Sequence, residues 1–456
     1  MHKLNVFLFL IPLFLLSLYN AAVPNRQDIS LLEKRALKAL PQFSWEALRT
    51  GSYFRDYDNY FADHFAFRDA FVHAGSALKE LRGIPAGDQA SIVVQKGNNM
   101  FQDMTAATPP ASGLDKTSVA SGTYASAAVP ASASALADSP APALAPQSQA
   151  AKDEKGQLEG TESDKYLVVK DRAMSLFSYN DSDAEAYAKS LNLFAESIDP
   201  GVKVYSLLVP SAVEFLNMDK YRSLSDSQKD AIAGVNRRLS GRIVPVDAYK
   251  PLADHSNEYT YFRTDHHWTA LGAYYAYRAF AERTGETAVP LSRYDTAEVP
   301  GFLGSAYAAT LNKNLKKNPD TITIYKPFVP HHYTLYWYDD VPLKRNVVDP
   351  GYAGKEGGAY QVFLEGDSPW GRIETENANG KRLLVIKDSY GNPFIPFLLP
   401  HYEQVLFLDL RYFKTNVLDF VKEQGITDVL FLDGIAVTSY DGYSDLLRSK
   451  MGTAKR

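Results

Sequence analysis

Four short runs restrict what this chain can become: KVYSLLVP from Lys203, RLLVIKD from Arg382, QVLFLDL from Gln404 and DVLFLD from Asp428. Each is apolar along almost its whole length. Successive side chains of a strand point to opposite faces, so a strand that is apolar throughout needs cover on both. The intervening segments can supply it. DAEAYAKSLNLFAESI, SDSQKDAIAGVNRRLSG and TNVLDFVKEQG read as helices, while KYLVVKDRAMSLFSY and IVPVDAY add short strands. Strands alternating with helices predict an α/β fold with a mostly parallel sheet covered on both faces. Residues 286–380, rich in Pro, Gly and Tyr, read as irregular.

In such sheets reactive groups collect at the carboxyl ends of the strands. Ser389 follows RLLVIKD directly, at a sharp strand-to-helix turn that would expose its hydroxyl. The first N–H groups of the following helix lack intrahelical acceptors and can stabilise an oxyanion, and Pro393 is tolerated in a first turn. The second candidate is TDHHWTALGAYYAYRAF, residues 264–280, which spends two of the chain's nine histidines side by side. Two adjacent imidazoles cannot both face a core. The helix here should run from an N-cap at Thr269 to a stop at Gly285. His267 lies near its positive end, which favours the neutral imidazole that a base must be. Asp265 can take the other ring N–H, completing a nucleophile, base and orienting carboxylate with Ser389.

Spacing alone leaves bland alternatives open. Ser389 could simply cap a helix, and His267 could be a structural hydrogen-bonding residue. His266 suits a packing or supporting role, Trp268 a wall of the site or a core position, and Asp388 a turn. Arg263 could neutralise Asp265, hold an anionic substrate or make a surface salt bridge. Tyr390 could stack on sugar or pack against other aromatics.

The chain has 456 residues and is 45% hydrophobic, enough for two or three average domains or one large one with appendages. Lys plus Arg is 48 against 53 acidic residues, a net charge of −5, so nucleic acid is not an expected partner. There is no cysteine, which excludes disulfides, thiolate-ligated zinc and a thiol nucleophile. Residues 1–23 combine Lys3 with an apolar run from Leu4 to Leu18 and read as a signal peptide or retained membrane anchor, placing the protein outside the cytoplasm. Residues 24–104 read as a helical region, two segments separated around LPQFS and closing at Gly83, followed by the first strands in SIVVQKGNNMFQ. Residues 105–163 form an Ala/Ser/Pro-rich insertion with a charged tail, too poor in large apolar groups to order itself. Residues 164–456 are the α/β domain.

YFRTDHHWTALGAYYAY and LLVIKDSYGNPFIPFLLPHYEQVLFLDLRYF together resemble the DHHW protein family of bacteria. That family is similar to the SGNH-like domains of the periplasmic alginate O-acetylation proteins. FADHFAFRDAF, VVQKGNNMF, LLVPSAVEF and AYQVFLEGD agree in order, and the resemblance spans roughly residues 50–102 and 164–440. It implies an SGNH-hydrolase-like three-layer α/β/α domain with Asp265 and His267 as its Asp-x-His element and Ser389 as nucleophile. Asp and His precede Ser, the circularly permuted order of the alginate-type relatives. The usual Gly-Asp-Ser block reads KDS, so oxyanion donors must be sought in the Ser389 and Tyr390 amides and, more weakly, the Asn392 and Arg411 side chains.

The implied activity is O-acyl, most simply O-acetyl, transfer to or from an extracellular or cell-wall polysaccharide, with no cofactor. Relatives on the transferase side draw the acyl group from a membrane-bound O-acyltransferase partner, near which an N-terminal anchor would hold this domain. The alternative is a non-catalytic, anchored polysaccharide-binding or envelope-assembly protein on a hydrolase-like scaffold. The DHH triplet is also similar to that of manganese phosphodiesterases, and His331 and His332 could add ligands. Those enzymes draw acidic ligands from several strand ends, whereas Asp181 to Asp183 read as part of a loop, so no metal is expected.

Overall fold

The computed structural model describes residues 29–30, 35–36, 40–65, 91–94, 165–337, 341–354 and 359–452. The apolar N-terminal segment, the helix end at Gly83 and the Ala/Ser/Pro-rich insertion lie outside these residues. Among the described residues no helix is long and apolar enough to cross a membrane.

The centre is an eight-stranded sheet: β1 (Lys203–Val209), β2 (Ile243–Pro245), β3 (His331–Tyr336), β4 (Pro342–Arg345), β5 (Trp370–Thr375), β6 (Arg382–Lys387), β7 (Gln404–Leu408) and β8 (Asp428–Gly434), in spatial order β4-β3-β5-β7-β6-β8-β1-β2. The five strands from β7 to β2 are parallel, and β5, β3 and β4 extend them antiparallel. All four apolar runs fall in the parallel part. Leu383, Val385, Val405, Phe407, Leu430 and Leu432 face helix α3 (Ala270–Thr284). Their neighbours Leu384, Ile386, Leu406, Leu408, Val429 and Phe431 face α1 (Asp181–Ser197), α2 (Gln228–Arg238), α4 (Val417–Glu423) and α5 (Asp441–Lys450). Burying such a side chain contributes about 1.5–3 kcal/mol, so the alternation itself specifies three layers.

Cap chemistry sets the helix ends. Thr269 Oγ1 accepts the Gly272 N–H and Gly285 closes α3 with φ 79°, while Asn180, Ser227 and Asn416 cap α1, α2 and α4. Asp181 and Asp183 belong to the first turn of α1 rather than to a loop.

Three expectations need correction. Residues 286–380 are not irregular: they hold β3, β4, β5 and a separate hairpin of Asp295–Phe302 with Asp320–Lys326. The hairpin buries Ile322 and Ile324 while Thr321 and Thr323 stay part-exposed, a half-buried alternation weaker than a continuous apolar run. The turn after β6 continues as two 3₁₀ turns, Ser389–Gly391 and Ile395–Leu398, rather than an α-helix. Pro393, Pro396 and Pro400 lack the N–H donors a regular helix would use. Before LPQFS, Ile29–Ser30 pairs with Arg35–Ala36 as short strands, and the helices follow it at Trp45–Thr50 and Ser52–Asp63.

Candidate active site

Lys387, Asp388 and Ser389 end the central strand β6. Asp388 shapes the turn: one carboxylate oxygen accepts the Tyr390 N–H at 2.9 Å, and the other accepts the Gly434 N–H at 2.7 Å from the end of β8. Ser389 thus heads a 3₁₀ turn at the sheet's carboxyl edge, part-exposed among buried neighbours.

The segment before α3 folds back on itself through a bridge between Tyr261 and Trp268. Buried Asp320, arriving from the hairpin, accepts the N–H groups of Arg263 and Thr264, the Thr264 hydroxyl at 2.6 Å and the Arg263 Nε at 3.1 Å. That fixes the two residues ahead of Asp265. His267 Nδ1 then lies 2.5 Å from Asp265 Oδ1, and His267 Nε2 lies 2.6 Å from Ser389 Oγ. Asp265 and His267 are 2% and 6% exposed, so water does not compete for these bonds. A hydroxyl, an imidazole and a carboxylate in this order can pass a proton from the hydroxyl and hold the charge that results.

Aromatic groups frame the imidazole. Tyr360 stacks on His267 with ring centroids 4.1 Å apart and planes 12° apart, and its hydroxyl donates to the Ser389 carbonyl at 3.0 Å. Tyr390 is buried; its hydroxyl donates to the His266 carbonyl at 2.6 Å, and its own carbonyl accepts the indole N–H of the fully buried Trp268 at 2.9 Å. Both packing alternatives therefore describe the observed surroundings of Trp268 and Tyr390.

The remaining candidates sit in tighter company than expected. The Tyr390 amide is committed to Asp388, which leaves the Ser389 amide as the backbone candidate for an oxyanion donor. Asn392 Nδ2 donates to Asp367 Oδ1 at 3.1 Å. Arg411 bonds Asp409 through Nε at 2.7 Å and Asp367 through a terminal nitrogen at 2.8 Å. Lys387, with no side-chain exposure, reaches Asp367 at 3.3 Å. Burial alone would raise the Asp367 carboxyl, but the charges of Lys387 and Arg411 and the Asn392 bond outweigh it and hold the group well below the usual carboxylate range. Arg263 does not neutralise Asp265; it pairs with Asp320 and, at 3.4 Å, with Asp171. His266 Nδ1 lies 2.5 Å from Ser305 Oγ. His331 is tied to the Val329 carbonyl at the start of β3.

Beneath the serine turn lies Asp433, fully buried and taking hydroxyls from Tyr187 and Tyr443 at 3.0 and 2.8 Å. Burial, reinforced by the nearby Asp388 charge, pushes its carboxyl well above the ordinary value. A carboxyl raised on folding stabilises fully below its unfolded pKa of about 3.9, and that contribution is lost as pH climbs toward the folded value. Asp433→Asn should therefore gain on the parent between pH 5 and 8. Melting temperatures at the two pH values measure the gap, and a gap that stays constant would refute a proton on Asp433.

Tyr360, Asp367, Ser305, Asp320 and Lys387 were not singled out by residue chemistry in the sequence. Two signals existed: AYQVFLEGD carries Tyr360 and Asp367, and a lysine ending a buried strand requires a counter-charge.

A mostly parallel sheet covered on both faces, with the polar constellation at its carboxyl ends, is a three-layer α/β/α fold. A family model described as DHHW protein matches residues 33–104 and 150–408, and the chain belongs to that family. It is similar to the crystal structure of a DHHW family protein from Eubacterium siraeum, at 33% identity and TM-score 0.59, over 66% of this chain and 99% of the other. It also shares its fold with Bacillus cereus PatB1, at 19% identity and TM-score 0.52, over 60% of this chain and 96% of that one. The same protein with a sulfonyl adduct matches at 18% identity and TM-score 0.50, over 61% and 95%. No curated protein matches the chain.

Proposed function

We propose that this protein transfers O-acyl groups, chiefly acetyl, to or from a polysaccharide outside the cytoplasm. The observation that carries the reading is the continuous chain Asp265–His267–Ser389, with 2.6 Å between imidazole and hydroxyl. Ser389 Oγ attacks the acyl carbonyl carbon while His267 Nε2 takes its proton. The oxyanion of the tetrahedral intermediate meets the Ser389 amide, and Asp265 holds the imidazolium. Collapse breaks the bond to the donor's oxygen, which leaves with the proton from His267 and an ester on Ser389. A sugar hydroxyl or water, deprotonated by the same imidazole, attacks that ester and restores the serine.

In this reading residues 1–23 are an export signal or anchor, and a membrane-bound acyltransferase supplies the donor. The test is cellular and biochemical. Cells carrying Ser389→Ala should lose O-acetyl groups from their surface or secreted polysaccharide, and the purified parent should cleave a chromogenic acetyl ester. Faster turnover with added oligosaccharide, and acetylated sugar among the products, identifies a transferase; free acetate alone identifies an esterase. Unchanged polysaccharide acetylation in the variant, with no ester cleavage by the parent, would leave a binding scaffold in place of an enzyme.

A further inference from the structure

The reaction just described uses only one of the paired histidines. His266 is 13% exposed at its side chain and its ring lies 3.8 Å from that of His267, yet it points its Nδ1 elsewhere, to Ser305. Ser305 opens a short helix, Ser305–Thr310, at the end of the hairpin's first strand. Its backbone N–H donates to Asp265 Oδ2 at 2.7 Å, and its Oγ lies 3.0 Å from the same oxygen. An ionised carboxylate can only accept; with the Ser305 hydroxyl donating to Asp265, its oxygen is open to accept from His266 Nδ1–H. The polarity of the chain follows: His266 to Ser305 to Asp265 Oδ2, with Oδ1 serving His267. The backbone is built for this approach. A Cβ at Gly304 would lie 2.2 Å from Asp265 Oδ2, so only glycine lets the strand come close enough for the Ser305 amide to reach the carboxylate.

We infer that Ser305 and His266 are positioning residues that clamp the second oxygen of Asp265 and draw off part of its charge, so setting how strongly it supports a protonated His267. The inference rests on the acyl-transfer reading and deepens it. It also accounts for the doubled histidine: one imidazole handles the proton, and the other ends a hydrogen-bond chain that steadies the carboxylate. Removing a donor from Oδ2 leaves Oδ1 a stronger partner for imidazolium. The base then stays protonated to higher pH, and the acid limb of the reaction moves upward. The other titratable groups facing His267 are Tyr360 and Asp367 from the segment before β5, and Asp388 and Tyr390 from the serine turn. None of them changes in the variants below.

The experiment follows the rate of modification by phenylmethylsulfonyl fluoride against pH, read by intact mass, in the full chain. Ser305→Ala, which takes a charge-assisted hydrogen bond from Asp265, should react roughly tenfold more slowly at the optimum, and His266→Phe, which removes only the neutral bond to Ser305, less so. Their acid limbs should lie about half a pH unit higher. His266→Asn places an amide N–H where Nδ1 stood and should recover most of the rate and the parent's limb. Parent-like rates and limbs in both truncations would overturn the inference while leaving the acyl-transfer reading intact, provided Ser389→Ala takes no label. Slower reaction with an unshifted limb would also overturn it, since a merely structural loss gives that pattern. A parent that takes no label brings down both.

Discussion

Ser389→Ala is expected to remove all sulfonyl labelling at the site and to lower acetyl-ester turnover by about 10⁶-fold, the scale of losing a nucleophile in a Ser–His–Asp system. His267→Ala should cost nearly as much, because an alcohol hydrogen-bonded to no base is a poor nucleophile at neutral pH. Asp265→Asn should cost less, about 10⁴-fold, since it leaves both reacting groups in place and disturbs only tautomer and charge. The effects should not add: Ser389→Ala with His267→Ala should be no worse than Ser389→Ala alone. Among the described residues the Ser389 hydroxyl bonds only the imidazole, so melting temperature should move little. Equal labelling of parent and Ser389→Ala, with an unchanged melting temperature, would exclude Ser389 as the nucleophile.

The largest effect on stability is expected at Asp367. Asp367→Ala takes from the Lys387 ammonium, inside the protein, the carboxylate it pairs with and removes one acidic partner from Arg411, which keeps Asp409. Stranding a buried charge costs about 3–5 kcal/mol, far more than the pair contributes relative to an apolar replacement. The second half of that statement supplies a control. Adding Lys387→Met, which lays a thioether chain along Phe407 where the ammonium now lies 5.6 Å from the ring, should return a large part of the loss. Denaturant unfolding of the parent, the single variant and the double variant measures both steps. A single variant within about 0.5 kcal/mol of the parent, the range of an ordinary surface change, would mean that Lys387 finds water instead.

The layered fold was readable from the chain because burial on both faces leaves few polar residues in β1, β6, β7 and β8, and because caps such as Thr269 and Gly285 mark their helix by local chemistry. The antiparallel strands escaped notice: a run such as TITIY signals only by alternation, and the surrounding Pro and Gly suggested turns. At the site, Asp265, His267 and Ser389 stood out because each sits at a strand or helix end and carries a reactive group. Their supports did not. Ser305, Asp320 and Asp367 are short polar residues whose importance lies in what they touch, across 40, 56 and 20 positions of sequence respectively. No period or local motif encodes such pairings. The 3₁₀ course after Ser389 could have been foreseen from the spacing of three prolines.

The strand order has a bearing on when reactivity can arise. β6 lies between β7 and β8, both of which follow it in the chain, and the Asp388 turn is pinned by the amide of Gly434 at the far end of β8. A polypeptide growing from its N-terminus therefore holds Asp265, His267, Tyr360, Asp367 and Ser389 before it holds the strand that sets them in register. Until then the alcohol is latent, and an interrupted chain is chemically quiet however many of the right residues it contains.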